Sequence, residues 1–157
     1  MTDPLWIVRA EAAIALIPPG RRVLDIGCND MMIERLLPPG HGYVPLDVAR
    51  RDERTIVVDL NEQDLPATDA DFALGMGVLE YFFDIPRFLR GLAAQFDEGL
   101  FSYHPLERSP ARDRLSLGWV NAMTSYELIA LFQSVGFSNV RVTEYKPALH
   151  FYRISKT

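Results

Sequence analysis

Val23-Leu24-Asp25-Ile26-Gly27-Cys28-Asn29-Asp30 is the stretch on which the fold turns. Its first five residues read as a short buried strand that closes on a turn residue. Upstream, residues 5–17 are mostly apolar, broken by Arg9 and Glu11, and end at Pro18-Pro19-Gly20. Pro4 before the run and the proline pair after it bracket a helix whose apolar side packs on a sheet. Downstream, a short helical stretch from Asp30 to Leu37 stops at Pro38-Pro39-Gly40. Tyr43 to Asp47 then reads as a second strand, with Pro45 an awkward member of it. Thr55 to Asp59 reads as a third, rich in β-branched residues.

The same alternation continues. Asp71 to Gly77 is a fourth apolar run, interrupted by Gly75. Asp84 caps a helix that carries Phe88, Leu89, Leu92 and Phe96 at helical spacing, and Gly99 follows it. Leu100 to Tyr103 is a fifth strand. A polar, arginine-bearing stretch over 105–123 comes next, and Thr124 with Glu127 three residues on forms a capping box for another helix. Val140 to Tyr145 alternates with period two, and Leu149 to Ile154 pairs with it across Lys146-Pro147-Ala148. So short a connection forces those two strands to be antiparallel. The expected architecture is α/β: a mostly parallel seven-stranded sheet, covered on both faces, with a terminal antiparallel hairpin. The second crossover is shortened, since only the seven residues Val48 to Arg54 join strands two and three. A parallel crossover ordinarily takes at least about 10–12 residues. Either its helix has shrunk to an irregular link or one of the two strands is misread.

Composition sets the outer bounds. The chain has 157 residues, 48% apolar, with 16 basic against 21 acidic side chains and a net charge of −5. That predicts one domain over 1–157, with residues 1–20 as an N-terminal helical segment and 105–123 as a lid or substrate loop. A negative balance argues against broad nucleic-acid binding, which needs a positive field. Cys28 is the single cysteine, and no Cys/His cluster has metal-ligand spacing, so neither a disulfide nor a metal is expected. The start Met1-Thr2-Asp3-Pro4 lacks the pattern of a secretory signal, and no apolar run is long enough to span a membrane. A cytoplasmic location is the expectation.

In an open sheet of this kind a ligand lies outside the carboxyl ends of the strands, where strand order reverses. Strand one delivers Asp25, Gly27, Cys28 and Asn29 there, strand two ends at Asp47, and strand three ends at Asp59. Gly27 permits a sharp turn and close approach of backbone to ligand. Asp47 follows Asp25 by 22 residues, near the ~20-residue offset at which an acidic side chain meets ribose hydroxyls. The nicotinamide pattern G-x-G-x-x-G fails, because Asn29 and Met32 stand where its later glycines belong. A nucleoside without phosphates carries no such requirement.

Taken together, Val23 to Asp30 resembles the first motif of the class I methyltransferases that use S-adenosylmethionine. Asp71-Phe72-Ala73-Leu74-Gly75-Met76-Gly77-Val78-Leu79-Glu80-Tyr81 resembles their fourth-strand motif, which commonly ends Val-Leu-Glu-His. The element order matches along nearly the whole chain, including the closing Phe151-Tyr152-Arg153-Ile154-Ser155-Lys156. The resemblance implies a Rossmann-like methyltransferase fold and S-adenosylmethionine as cofactor. It implies that Asp25, Gly27 and Cys28 line the methionine portion, that Asn29 also binds the cofactor, and that Asp47 holds the ribose hydroxyls with Val48 beside the adenine. Asp59 would accept from the adenine amino group, Leu60 would offer its backbone N–H, and Met76 would lie near the reactive end. Two departures stand out in the usual G-x-G-x-G: Asn29 is a mild change, but the Met31 side chain could either fill space that the methionine tail needs or point into the core as a flexible gap-filler.

Methyl transfer from a sulfonium is an in-line displacement, in which alignment alone can supply on the order of 7–11 kcal/mol of the barrier. A base is needed only where the acceptor must lose a proton. His104, after strand five, is the candidate base; Tyr81, where the common motif has His, is a second candidate. His41 reads as a surface-loop residue, His150 as a hairpin residue, and Trp119 as packing for the loop. Tyr103, Arg108, Arg112 and Arg114 are candidate substrate contacts, since guanidinium suits an anionic acceptor. The chain is short for this resemblance. Either the acceptor is a small molecule, or a second chain, another copy or a different partner, completes the acceptor site. The competing reading is a non-catalytic binding or scaffold subunit with a degenerate glycine loop.

Overall fold

In the computed structural model, which describes residues 3–109 and 111–157, the central strand is β1 (Arg22–Ile26). Val23 packs toward one face of the sheet and Leu24 and Ile26 toward the other. Asp25 shares the face of Val23, as strand alternation requires. Beside β1 lie β2 (Gly42–Asp47) and β4 (Phe72–Gly75), both parallel to it. β3 (Ile56–Val57) extends the sheet beyond β2, and β5 (Glu98–Tyr103) extends it beyond β4. The hairpin of β6 (Asn139–Lys146) and β7 (Leu149–Ser155) completes the order β3-β2-β1-β4-β5-β7-β6. β7 runs antiparallel to β5 over the full register from Glu98↔Ser155 to Tyr103↔His150. The mostly parallel sheet with a terminal antiparallel hairpin is as expected.

Helices cover both faces. α1 (Pro4–Ile14) and α2 (Met32–Leu36) bury Ala10, Ala13, Ile14, Met32 and Ile33 against Val23, Phe72 and Leu74. On the other face α3 (Ile85–Gln95) and α5 (Ser125–Ser134) bury Phe88, Leu89, Leu92, Leu128 and Phe132 against Leu24, Phe101 and Tyr152. The caps are the predicted ones. Asp84 accepts from Arg87 N at 3.0 Å, and Thr124 and Glu127 form a reciprocal capping box.

Three sequence expectations need correction. The third strand, expected over 55–59, is only Ile56–Val57, because β3 pairs with β2 only at Leu46 and Asp47. That short pairing is why so brief a link suffices. Thr55, buried, accepts from the N–H groups of Arg51 and Asp52 through Oγ1 and folds the link into a turn without a helix. The N-terminal helix ends at Ile14, three residues early, and Leu16 and Ile17 continue in tight turns. Finally, 105–123 is not wholly irregular: it holds a 3-10 turn at Leu106–Arg108 and α4 (Ala111–Ser116). Among the described residues no helix is long and apolar enough to cross a membrane, and no group of three His, Cys, Asp or Glu could hold a metal ion.

Candidate functional site

Strand order reverses between β1 and β4, and the crevice above that point divides into two cavities that meet at Gly27. The larger, of about 210 Å³, is lined among others by Leu46, Asp47, Val48, Asp59, Leu60 and Tyr81. The smaller, of about 50 Å³, is lined among others by Trp6, Arg9, Asp25, Cys28, Asn29 and Met76. Every residue expected to meet the cofactor therefore borders one cavity or the other.

Gly27 has φ +75°, and a Cβ there would lie 3.3 Å from Val78 Cγ2. The glycine is required both by its backbone and by the approach of the loop after β4. The left-handed geometry recurs at alternate residues, with φ 48° at Asn29 and 57° at Met31. The chain thus keeps the backbone of a three-glycine loop while using glycine only once. Left-handed backbone costs an L residue roughly 1–2 kcal/mol, less for Asn. Met31 lines neither cavity. Its side chain turns away, the sulfur lying 3.8 Å from Arg54 Nη2, and Arg54 is itself paired with Glu34 and Asp52. The thioether therefore leaves the crevice open. Met31→Gly is accordingly expected to leave the urea midpoint nearly unchanged, because relief of the backbone strain roughly offsets the loss of the apolar burial that the side chain provides.

Asp25 is 2% exposed and its Oδ2 accepts from Tyr43 Oη at 2.7 Å. Burial pushes its carboxyl up to about 7, with the charges of Asp47 and Asp30 adding to the rise and the Tyr43 hydroxyl opposing it. Between the ordinary carboxylate value, near 4, and about 7, the folded chain holds a proton that the unfolded chain has released. Stability therefore falls as pH rises through that window, by up to about 1.4 kcal/mol per pH unit, and levels off above it. Asp25→Asn is expected to remove this slope and raise the urea midpoint at pH 8; an unchanged pH profile would show that the carboxyl is ionised throughout. The neighbouring Cys28 thiol is pushed up to about 12, mainly by burial and then by Asp25 and Asp47, so it stays protonated and unreactive at neutral pH.

Asp47 ties the loops after β1 and β2 together. Its Oδ2 accepts from Asn29 N at 2.9 Å; its Oδ1 accepts from Ala49 N at 3.0 Å and Arg51 Nη2 at 3.2 Å. Burial pulls its carboxyl upward, but these donors outweigh it and hold it below the usual range. A carboxylate offers about four acceptor directions, so its outward face still has room for a hydroxyl. Across the cavity, Asn61 donates to Tyr81 O at 2.9 Å and accepts from Phe83 N at 3.0 Å. This joins the turn after β3 to the loop after β4 and closes the far wall.

Of the expected catalytic and substrate residues, Tyr81 borders the larger cavity and is about half exposed. His104, just past the end of β5, is among the lining residues of neither cavity and stacks on Trp119 with ring centroids 4.4 Å apart. Three expected substrate contacts are corrected. Arg114 is 2% exposed, its guanidinium donating to His104 O, Asn121 O and Tyr103 Oη. Tyr103 is fully buried, its hydroxyl also bound to Asn121 Oδ1 and Met123 N. Arg108 faces Glu144 of the hairpin at 3.9 Å, away from both cavities. The Arg112 side chain lies outside the described residues. The stretch 105–123 is thus a strap fastened over the ends of β4 and β5, in which the arginine predicted to catch a substrate is the fastening.

Among the lining residues that escaped the sequence reading, two carry chemistry on α1. Trp6 and Arg9 stand three apart on α1, the guanidinium 4.3 Å over the indole ring. Burial lowers the Arg9 pKa, and the charge of Glu80 opposes that. The signal was Arg9 itself, a cation inside an otherwise apolar helical run.

No protein-family model and no curated protein matches the sequence. Solved structures do. A S-adenosylmethionine-dependent methyltransferase from Mesorhizobium loti superposes with a TM-score of 0.77 at 20% identity, over 93% of this chain and 97% of that one. A methyltransferase from Thermotoga maritima, described as a possible histamine N-methyltransferase, gives 0.71 at 14% identity, over 97% and 89%. Human N-acetylserotonin methyltransferase, solved with S-adenosylmethionine, gives 0.73 at 17%, and this chain spans 52% of its length. The chain has the fold of the class I S-adenosylmethionine-dependent methyltransferases, which the motif at Val23 to Asp30 led one to expect.

Proposed function

We propose that the protein binds S-adenosylmethionine and transfers its methyl group to a small-molecule acceptor. The observation that carries the reading is the pair of cavities meeting at Gly27, one apolar with carboxylates at its edge, the other flanked by a buried carboxyl and a guanidinium. The residues fit the cofactor. The larger cavity takes the nucleoside, with Asp47 at the ribose, Val48 beside the adenine, and Asp59 and Leu60 at its polar edge. The smaller takes the amino-acid tail, where Asp25 meets the ammonium, Arg9 the carboxylate, and Gly27, Cys28 and Asn29 offer backbone. Met76 flanks the joint between them. The cofactor supplies an electrophilic methyl group on a cationic sulfur; the chain aligns it, and surrounds the cation with acidic groups.

The Asp25 carboxyl sits near neutrality, and its ionised form is the one that attracts an ammonium. Affinity for S-adenosylmethionine is therefore expected to rise with pH up to about 7 and then flatten. Titration calorimetry with S-adenosylmethionine, S-adenosylhomocysteine and NAD tests the whole reading. Binding of the first two but not the third is expected; binding of none leaves the fold a scaffold whose loop has lost its ligand.

A further inference from the structure

At the opposite end of the sheet from Gly27, where β5 begins and β7 ends, lies a cavity of about 260 Å³ that the cofactor reading does not use. Glu98, Ser155 and Asn139 stand side by side across β5, β7 and β6, and Arg153 faces Arg141 one step along the hairpin. Directly opposite residues share a face, and so do alternate residues of a strand. All five side chains therefore gather on one side of the sheet, and all five line the cavity. Thr157 completes the lining, its carbonyl oxygen accepting from Ser155 Oγ at 2.7 Å. The charges there do not balance. Glu98 accepts from Arg21 through Oε1 at 2.6 Å and from Arg153 through Oε2, which ties the start of β1 to the hairpin. Burial pulls the Glu98 carboxyl upward, but the two arginines outweigh it and hold the group below its usual range. Arg153 is fixed further, donating to Ile154 O at 2.8 Å with its guanidinium carbon 5.0 Å from the centre of the Phe72 ring. Arg141 is left over: it is exposed and makes no hydrogen bond or ion pair among the described residues.

Like charges directly opposite on paired strands repel, so Arg141 facing Arg153 carries a cost that no contact within the chain offsets. In a molecule of net charge −5 this local excess of cations runs against the overall balance. An anion set between the two guanidinium groups removes the repulsion, and the planar donor forks match the oxygens of a phosphate in pairs. The charge fits as well. Setting Glu98 against Arg21, Arg141 and Arg153 leaves two positive side-chain charges, and a phosphate monoester carries about −1.5 to −2 at pH 7. We propose that the cavity at the amino end of β5 is a binding site for a phosphoryl group, held between Arg141 and Arg153, with Asn139 and Ser155 placed for hydroxyls of the molecule that carries it. The volume falls below the roughly 300 Å³ at which pockets for drug-sized ligands begin, so the ligand is inorganic phosphate or a small phosphate monoester. Arg153 is already held in place by Glu98 and Phe72, so little ordering is needed on binding. The site lies apart from the methyl-transfer crevice and does not depend on that reading.

The test titrates the full chain with inorganic phosphate and with glycerol 3-phosphate, glycerol serving as the uncharged control, by calorimetry and by proton–nitrogen amide spectra. Millimolar or tighter binding is expected in the wild type, weakening as potassium chloride is raised. Amide shifts should fall at Asn139 to Arg141 and Arg153 to Ser155, and not at Gly27 to Asn29. Because Arg141 is exposed and without a partner among the described residues, R141A and R141E should fold as the wild type does. R141A is expected to weaken binding at least about tenfold, as loss of hydrogen bonds to a charged group implies, and R141E to abolish it. Binding of either phosphate at the hairpin supports the site, and the tighter of the two tells an ester from the free ion. No binding of either, wild-type affinity in R141E, shifts in the crevice instead of the hairpin, or the same shifts with glycerol each overturn the proposal. Affinity for S-adenosylmethionine should be equal in all three chains; its absence from all three removes the methyl-transfer reading and leaves this site standing.

Discussion

Asp47→Ala is expected to abolish measurable S-adenosylmethionine binding and to lower stability by about 3 kcal/mol, since hydrogen bonds to charged groups contribute about 1.5–3 kcal/mol each. The carboxylate has two tasks. Toward the cavity it is, on the proposed reading, the acceptor for ribose hydroxyls; toward the protein it takes the N–H groups of Asn29 and Ala49 and the Arg51 guanidinium. Alanine strands two backbone donors and frees the Gly27–Met31 loop, whose left-handed residues Asn29 and Met31 are held only by their surroundings. Asp47→Asn separates the tasks. It retains one acceptor oxygen, so it should restore much of the urea midpoint while binding stays weakened at least tenfold. Because the folded-state carboxyl is held below its ordinary value, the stability it contributes is present above about pH 4 and lost as pH falls further. An Asp47→Ala chain that binds with wild-type affinity would mean that the nucleoside does not lie against β2.

How much of this could be read beforehand depends on where the physics is local. Strand β1 with its closing Gly27, the caps at Asp84 and Thr124, and the terminal hairpin all follow from periodicity, turn chemistry and short connections, and each appears as expected. The residues around the two cavities could also be read, because in a parallel sheet the strand ends converge whatever the loops do. What could not be read is what a side chain does once the loops have packed. Arg114 looks like an anion hook in sequence, yet the Tyr103 hydroxyl and the His104 carbonyl at the end of β5, with the Asn121 carbonyl, claim it. Met31 looks like an obstruction, yet a left-handed residue directs its side chain away from the cavities to Arg54. Glu80 was visible only as a motif letter, since its partner His104 is 24 residues away, just past the end of β5. Such pairings are tertiary, and no spacing rule encodes them.

Arg114→Ala is expected to be the most destabilising single change outside the hydrophobic core, by about 3–5 kcal/mol, as each buried acceptor left unpaired costs roughly 1–3 kcal/mol. The guanidinium spans the molecule's seam. Nε reaches Asn121 O at 2.8 Å and Nη2 reaches Tyr103 Oη at 2.7 Å, while Nη1 holds the carbonyl of His104. Asn121 relays the tie onward, its amide donating to Leu79 O and Phe82 O. One cation thus holds the strap to the ends of both β4 and β5, and a planar group with five fixed donors does this where an ammonium could not. Arg114→Lys should therefore recover only a minor part of the loss. The sheet itself gains little from the strap, so the damage should be local. Hydrogen exchange is expected to show amides over 114–123 losing protection while β1, β4 and β5 keep theirs. If the sheet amides fall in step with the strap, the strap belongs to the cooperative core; if the urea midpoint does not move, Arg114 fastens nothing. In the local outcome the His104 carbonyl loses its donor and its ring loses the stacked indole together. The turn at Leu79–Tyr81, whose Tyr81 borders the larger cavity, loses its tie to Asn121 with them.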